Sequence, residues 1–547
     1  MNTRWMQIRV MAMTLCSAAL ANLAWAAPAD VHVDLTITLP EGETADSVKV
    51  EFPKLKFNKR VLMSYTMDDG VAGAYCRIFT AINKKWDDTL NFCHQGVSPS
   101  TGSMFEKTLG YTDGTGIEKR FAAGVAIWPQ AGNKQMANFM LKEKPPADWR
   151  DPYLKWYEIP LLLDFGFSVY EHNTATDDPK DVAKIAAGFV HCQEITRKEL
   201  NGRGFKVLME PDGNYAYCEA SLLYPPIKMT CNQGRGNSRI HHPLTDEVEF
   251  EKTVIQRRFP TEKTPEEELA YCRKNHDDAN PAWYHLSTHR PGQFMQDVLR
   301  MINDAFGKDG VDDIWFATCD EYYEYVFMRK HAAITVKPKG RQVSVSLTIP
   351  QGEDFYYNDL SLLVSGIKAP GRTDVSAGSN VNALSWAKAG EALLVNVGFN
   401  PLVLERAQRY TTRFEGSRLE GDREDALYFV SQLRKELQPP YRSRIETVTL
   451  RAPLIIEEMS VGKGVGKGPA WTFPISFKSN RVPTEYKALD HRDHTLEKWS
   501  SFQAGQPAEL KIRSMSTNEA QTVYFIIRDE ENTSEMMAKQ ILMSEHR

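Results

Sequence analysis

The sequence predicts an α/β protein with parallel strands, followed by a β-rich region, and three observations carry that prediction. Its 547 residues exceed the ~250–300 at which single cores stop growing, so two or three domains are expected. Between about residues 58 and 330, short apolar strand-like runs alternate with helical periods, the pattern of strands joined by crossover helices. After Lys330 the texture changes to strands that alternate apolar and polar residues. With 42% hydrophobic and 25% charged residues, the composition is that of an ordinary globular protein. A net charge of -5 gives no sequence-wide support for nucleic-acid binding.

In chain order, Arg4 and Arg9 precede an apolar stretch from Val10 to Trp25, and Ala24-Trp25-Ala26 is a small-x-small cleavage pattern. Residues 1–26 therefore read as a secretory signal peptide rather than a spanning helix, which implies a periplasmic or extracellular mature protein. Residues 27–57 form a leading β segment, with alternation in Val31-His32-Val33-Asp34-Leu35-Thr36-Ile37. The run Val61-Leu62-Met63-Ser64-Tyr65 reads as a strand. Asp181 to Leu200 reads as a helix whose apolar face carries Val182, Ile185, Ala186, Phe189, Val190 and Ile195. Phe205 to Met209 is another strand. From 331 to 450 a mixed β/α region is expected, with a helix through Ala426, Leu427, Val430, Leu433 and Leu437 that Pro439-Pro440 would stop. A β-rich domain fills 451–547. Its segment Ser460–Gly468 lacks the spacing of a phosphate loop and reads as an inter-strand loop.

Seven of the eight cysteines lie between Cys76 and Cys319. No pair has Cys-x-x-Cys spacing, so a zinc ribbon is not indicated. In an oxidising compartment Cys76–Cys93 and Cys218–Cys231 are the nearest disulfide candidates. Buried thiols are the alternative for each.

The chemistry-bearing residues cluster at strand ends. Thr66-Met67-Asp68-Asp69-Gly70 follows the first apolar strand, and the carboxyl ends of strands are where α/β barrels build their sites. Two adjacent carboxylates ionise together only with a cation or donor beside one of them. That suggests one carboxylate for a metal and its neighbour for a proton. Three further strand ends carry Glu171-His172-Asn173, Met209-Glu210-Pro211-Asp212-Gly213 and Trp283-Tyr284-His285-Leu286-Ser287-Thr288-His289. His241-His242 would point apart on an extended chain. Tyr322, Tyr323 and Tyr325 fit either a sugar groove or the core.

In their order these segments resemble the polysaccharide deacetylase family, also called the NodB-homology family or carbohydrate esterase family 4, in a divergent secreted bacterial branch. Thr66–Gly70 matches its T-x-D-D-G motif. Tyr111–Gly116, Trp156–His172 and Asp313–Thr318 add support by order. The resemblance spans about residues 58–330. It implies a deformed (β/α) barrel of NodB-homology type, a divalent metal (zinc above all) and removal of N- or O-linked acetyl groups from a polysaccharide. It assigns Asp68 as general base, Asp69 and His172 as metal ligands, and His289 as the proton donor to the leaving group. Pro211, Asp212, Trp283 and His285 would flank the substrate. Thr176 stands where the family has a second histidine, so Asp177 or Asp178 is left to supply an oxygen ligand. Met209 stands where the family has an arginine that orients the base. These departures motivate a second reading, a carbohydrate-binding or scaffolding protein that keeps the barrel without its chemistry.

Overall fold

A computed structural model describes residues 29–84, 107–130, 153–289, 291–352, 354–452, 454–467, 470–490, 495–503, 508–513, 520–529 and 537–542. The proposed export signal and Cys93 lie outside these residues.

The heart of the chain is a nine-stranded parallel sheet. In spatial order it runs Ser238–Arg239, Val254–Gln256, Met229–Asn232, Val207–Met209, Ser168–Glu171, Gly124–Ile127, Val61–Met67 and Tyr284–Thr288, with Ile314–Phe316 also paired to Val61–Met63. The Val61–Met67 strand is buried at every position. A parallel strand covered on both faces has that character, and it explains why the segment reads as a continuous apolar run. The sheet curls as a half-barrel. Just beyond Gln256, Arg258 bridges in parallel to Leu286, through Arg258 N–H to the His285 carbonyl and Ser287 N–H to the Arg258 carbonyl, both 2.8 Å. That bridge joins the two sides of the sheet.

Crossover helices cover the sheet. The helix Val182–Glu199 is capped by Asp181, whose carboxylate accepts from the amides of Ala183 and Lys184. Its buried face is Ile185, Phe189, Cys192, Gln193 and Thr196. Val190, expected on that face, is exposed, because it lies one residue off the stripe. Gly124 fits only as glycine: a Cβ there would sit 1.8 Å from the Tyr170 ring.

The leading segment belongs to the region after the barrel. Val31–Thr38 pairs antiparallel with Gln342–Ile349, and Lys49–Glu51 pairs with Asp359–Ser365. One apolar core runs from Val33 through the barrel to Ile445, reinforced by the buried pair Arg120–Asp425 at 2.9 Å. Residues from Leu454 to Ile527, most of them on strands, enclose a separate core. Pro439 does not merely stop a helix. After Glu420–Ser431 and a short turn Lys435–Leu437, it opens a new helix, Pro439–Glu446. Its fixed φ suits the first helical position, where no amide partner is needed. Ser460–Gly468 is not simply a loop either, since Ile456–Val461 and Val465–Lys467 within and around it are strands. Cys218 and Cys231 are free and buried, so the disulfide suggested by their spacing is absent. Tyr322, Tyr323 and Tyr325 are core residues. No helix among the described residues is long and apolar enough to cross a membrane.

Candidate active site

Four strand ends meet at one end of the curled sheet. Asp68 prolongs its strand, with its amide donating to the Thr288 carbonyl at 2.9 Å. Its side chain is fully buried yet charged, because Arg257 Nη1 donates to Oδ1 at 2.6 Å and is itself fully buried. Burial alone would raise the Asp68 pKa. The charges of Arg257 and His172 and the Arg257 hydrogen bond outweigh it, holding the carboxyl below its usual range. Asp68 Oδ2 has no hydrogen-bond partner, and His289 Nε2 stands 3.8 Å from it.

Arg257 is the functional residue that motif reading missed. It follows the strand Val254–Gln256, whose pairing with Met229–Asn232 carries it across the sheet to Asp68. The guanidinium also donates to Ser287 Oγ at 3.3 Å and to the Glu210 carbonyl at 3.0 Å. An arginine therefore holds Asp68 although Met209 occupies the motif position. The segment Gln256-Arg257-Arg258-Phe259 offered a signal in two arginines at a strand end. Nothing in it told which of the two turns inward.

Asp69 adopts φ +64° and is followed by Gly70 at +57°. This left-handed pair turns the chain sharply, so adjacent carboxylates face different surroundings. His172 Nε2 lies 3.5 Å from Asp69 Oδ1. Its Nδ1–H donates to the Met209 carbonyl at 2.8 Å, which orients the ring and turns Nε2 toward Asp69. Burial opposes charge on this imidazole, but Asp68 and Asp69 outweigh it and raise its pKa. Two donors on a tetrahedral zinc with bonds of ~2.0–2.1 Å sit about 3.3 Å apart. The Asp69–His172 spacing and the ring orientation set by Met209 fit a divalent cation held by two protein donors.

The other expected site residues stand elsewhere. Asp177 is exposed and pairs with Lys184 at 3.2 Å, and Asp178 caps the amide of Lys180. Neither forms a three-donor group with Asp69 and His172 among the described residues. Pro211 is buried, and Asp212 is exposed in a left-handed turn at φ +54°. Trp283 and His285 are buried, stacked with ring centroids 4.9 Å apart, and line a cavity of about 440 Å³ together with Arg257, Phe259 and Tyr271. His289 is half exposed and stacks on Phe259 with centroids 5.0 Å apart. His241 and His242 point apart as expected, one to Tyr322 and the other to the Asn280 carbonyl.

A family model described as "Putative polysaccharide deacetylase" matches residues 88–439, more than half of the chain. The chain belongs to this family. The match takes in the barrel from residue 88 and most of the mixed region after it. Among curated proteins, the methionine–tRNA ligase of Chlorobium phaeobacteroides is 26% identical over 137 residues, 25% of this chain and 19% of that protein. Among solved structures, the β-glucuronidase of Ruminococcus gnavus gives a TM-score of 0.14 at 11% identity in its apo form, covering 38% of this chain and 26% of that one. Its complex with uronic isofagomine gives the same TM-score and coverage. The chain thus spans about a fifth of the ligase and a quarter of the glucuronidase, and likeness at this level has no bearing on the deacetylase family's site.

Proposed function

We propose that this member of the polysaccharide deacetylase family is a hydrolase of NodB-homology type. It removes acetyl groups, N- or O-linked, from a polysaccharide outside the cytoplasm. The observation that carries the reading is the convergence of a charged, half-satisfied Asp68, the His289 imidazole facing its free oxygen, and the Asp69–His172 pair beside them. The export-like segment at residues 1–26 supports the location.

Asp69 and His172 would hold a divalent cation, zinc by its donor preference, which supplies Lewis acidity toward the acetyl carbonyl. Asp68 Oδ2 takes a proton from water as the water oxygen bonds to the acetyl carbon. Arg257 saturates Oδ1 and keeps the carboxylate ionised, leaving one oxygen for the proton. The bond from carbonyl carbon to sugar nitrogen or oxygen then breaks. His289 delivers a proton to that leaving atom. Its exposure suits a group that must reach a polymer bound from solvent.

The experiment is acetate release from an acetylated glycan by the chain loaded with zinc, after chelation, and as Asp69→Asn. Release should fall at least tenfold on chelation and in the variant. Undiminished release after chelation would refute metal assistance. A second reading, glycan binding without hydrolysis, draws on the two-donor cation site, since catalytic zinc ordinarily has three protein ligands. Glycan binding with no acetate release from the zinc-loaded chain would favour it.

A further inference from the structure

One layer beneath Asp68 lies a second group of donors that take no part in the proposed deacetylation steps. Cys231 comes from the strand Met229–Asn232, His285 from Tyr284–Thr288, and Cys319 from the first position of the helix Cys319–His331. All three are buried. One donor atom from each lies within 4.8 Å of the others, and this is the one such group among the described residues. Cys319 Sγ is 3.8 Å from His285 Nε2, and Thr66 Oγ1 is 2.9 Å from the same nitrogen. Tyr170, seated over Gly124, accepts the Cys319 amide at 2.8 Å and fixes the start of the helix.

Two sulfurs and an imidazole converging in the interior are donors of the kind a thiophilic divalent ion takes. His285 Nε2, which faces Cys319 Sγ, is the ring nitrogen placed to bind it. Two thiolates, one neutral imidazole and a 2+ charge sum to zero, which suits a buried site. Thiolate and imidazole together form a zinc donor set.

We propose that Cys231, His285 and Cys319 form a buried zinc site, separate from the Asp69–His172 pair. It ties two strands and a helix together under Asp68. Binding releases the two thiol protons and leaves His285 protonated at Nδ1. Three protein donors leave a fourth position to a further ligand, and the site stands whether or not the chain proves to be a deacetylase.

The test is full-length protein carrying Asp69→Asn, produced with cobalt(II) in place of zinc. Expected are one retained equivalent of cobalt per chain and a near-ultraviolet sulfur-to-cobalt charge-transfer band. Cys231→Ser and Cys319→Ser added to that background should each abolish the band and reduce the retained cobalt at least tenfold. No sulfur–cobalt band in the Asp69→Asn protein overturns the proposal. So does a Cys231–Cys319 disulfide seen by mass spectrometry, or a band that survives both serine substitutions in folded protein. Should the serine variants fail to fold, the Asp69→Asn spectrum alone decides.

Discussion

The two sides of the candidate site, each proposed to handle a proton, are built to opposite specifications. Asp68 is sealed in the interior, extends a fully buried strand and is clamped by an equally buried arginine. His289 is half exposed, ends its strand and rests on a single aromatic ring. A group whose charge must persist inside a protein needs a fixed counter-charge. A group that gains and loses a proton for a solvent-borne polymer needs access. Burial and its ion pair make the first a structural element as well as a proposed base, whereas the half-exposed second has only its proposed chemical role.

The largest expected effect breaks the clamped side. Arg257→Met leaves Asp68 buried and uncompensated, and loss of one partner of a buried pair costs ~3–5 kcal/mol. Denaturant titration should show that loss. Asp68→Asn with Arg257→Met should recover most of it while acetate release stays absent. Equal stability of Arg257→Met and the unsubstituted chain would mean that the pair does not hold the strand ends.

On the open side, His289→Ala should leave the denaturation midpoint unchanged and lower kcat by about 10²–10⁴-fold, the range for one general acid. An unchanged kcat would remove His289 from the chemistry and end the comparison.

The smallest effect is a shift of pH dependence. Asp68 is held below the usual carboxylate range chiefly against its burial, so the acid limb of the rate profile should lie below about pH 4. Arg257→Lys keeps a charge but loses the forked geometry, so less of the depression survives and the limb should move to higher pH. The Asp68 contribution to stability carries the same sign: it is present above about pH 4 and lost as pH falls through the depressed value. A limb that stays in place in the lysine variant would assign it to another group.

Legibility in the sequence followed the range of each interaction. Val61–Met67 and the Asp68-Asp69-Gly70 turn are local, and so are the strand ends bearing His172 and His289. Apolar runs and turn residues mark them directly. Arg257 was hidden because its value depends on a partner 189 residues away, supplied by strand pairing that no local pattern records. The same holds for Cys231, His285 and Cys319, whose spacing resembles no metal motif. Asp177 and Asp178 lie just past the expected ligand position at Thr176, and the chain turns them to Lys184 and Lys180. Composition after Lys330 announced the β-rich region, but the partnership of Val31–Thr38 with Gln342–Ile349 required the fold.

The short bridge between Arg258 and Leu286 has a consequence for how the protein comes to life. Arg257 precedes one end of that bridge, and Ser287 and His289 follow the other. Until it zips shut, the base lacks its counter-ion and the acid lacks its place. Arg257 also has to reach Asp68 across 189 residues, and a contact that distant along the chain forms only after the chain between has been ordered. The clamp on Asp68 should therefore close late in folding.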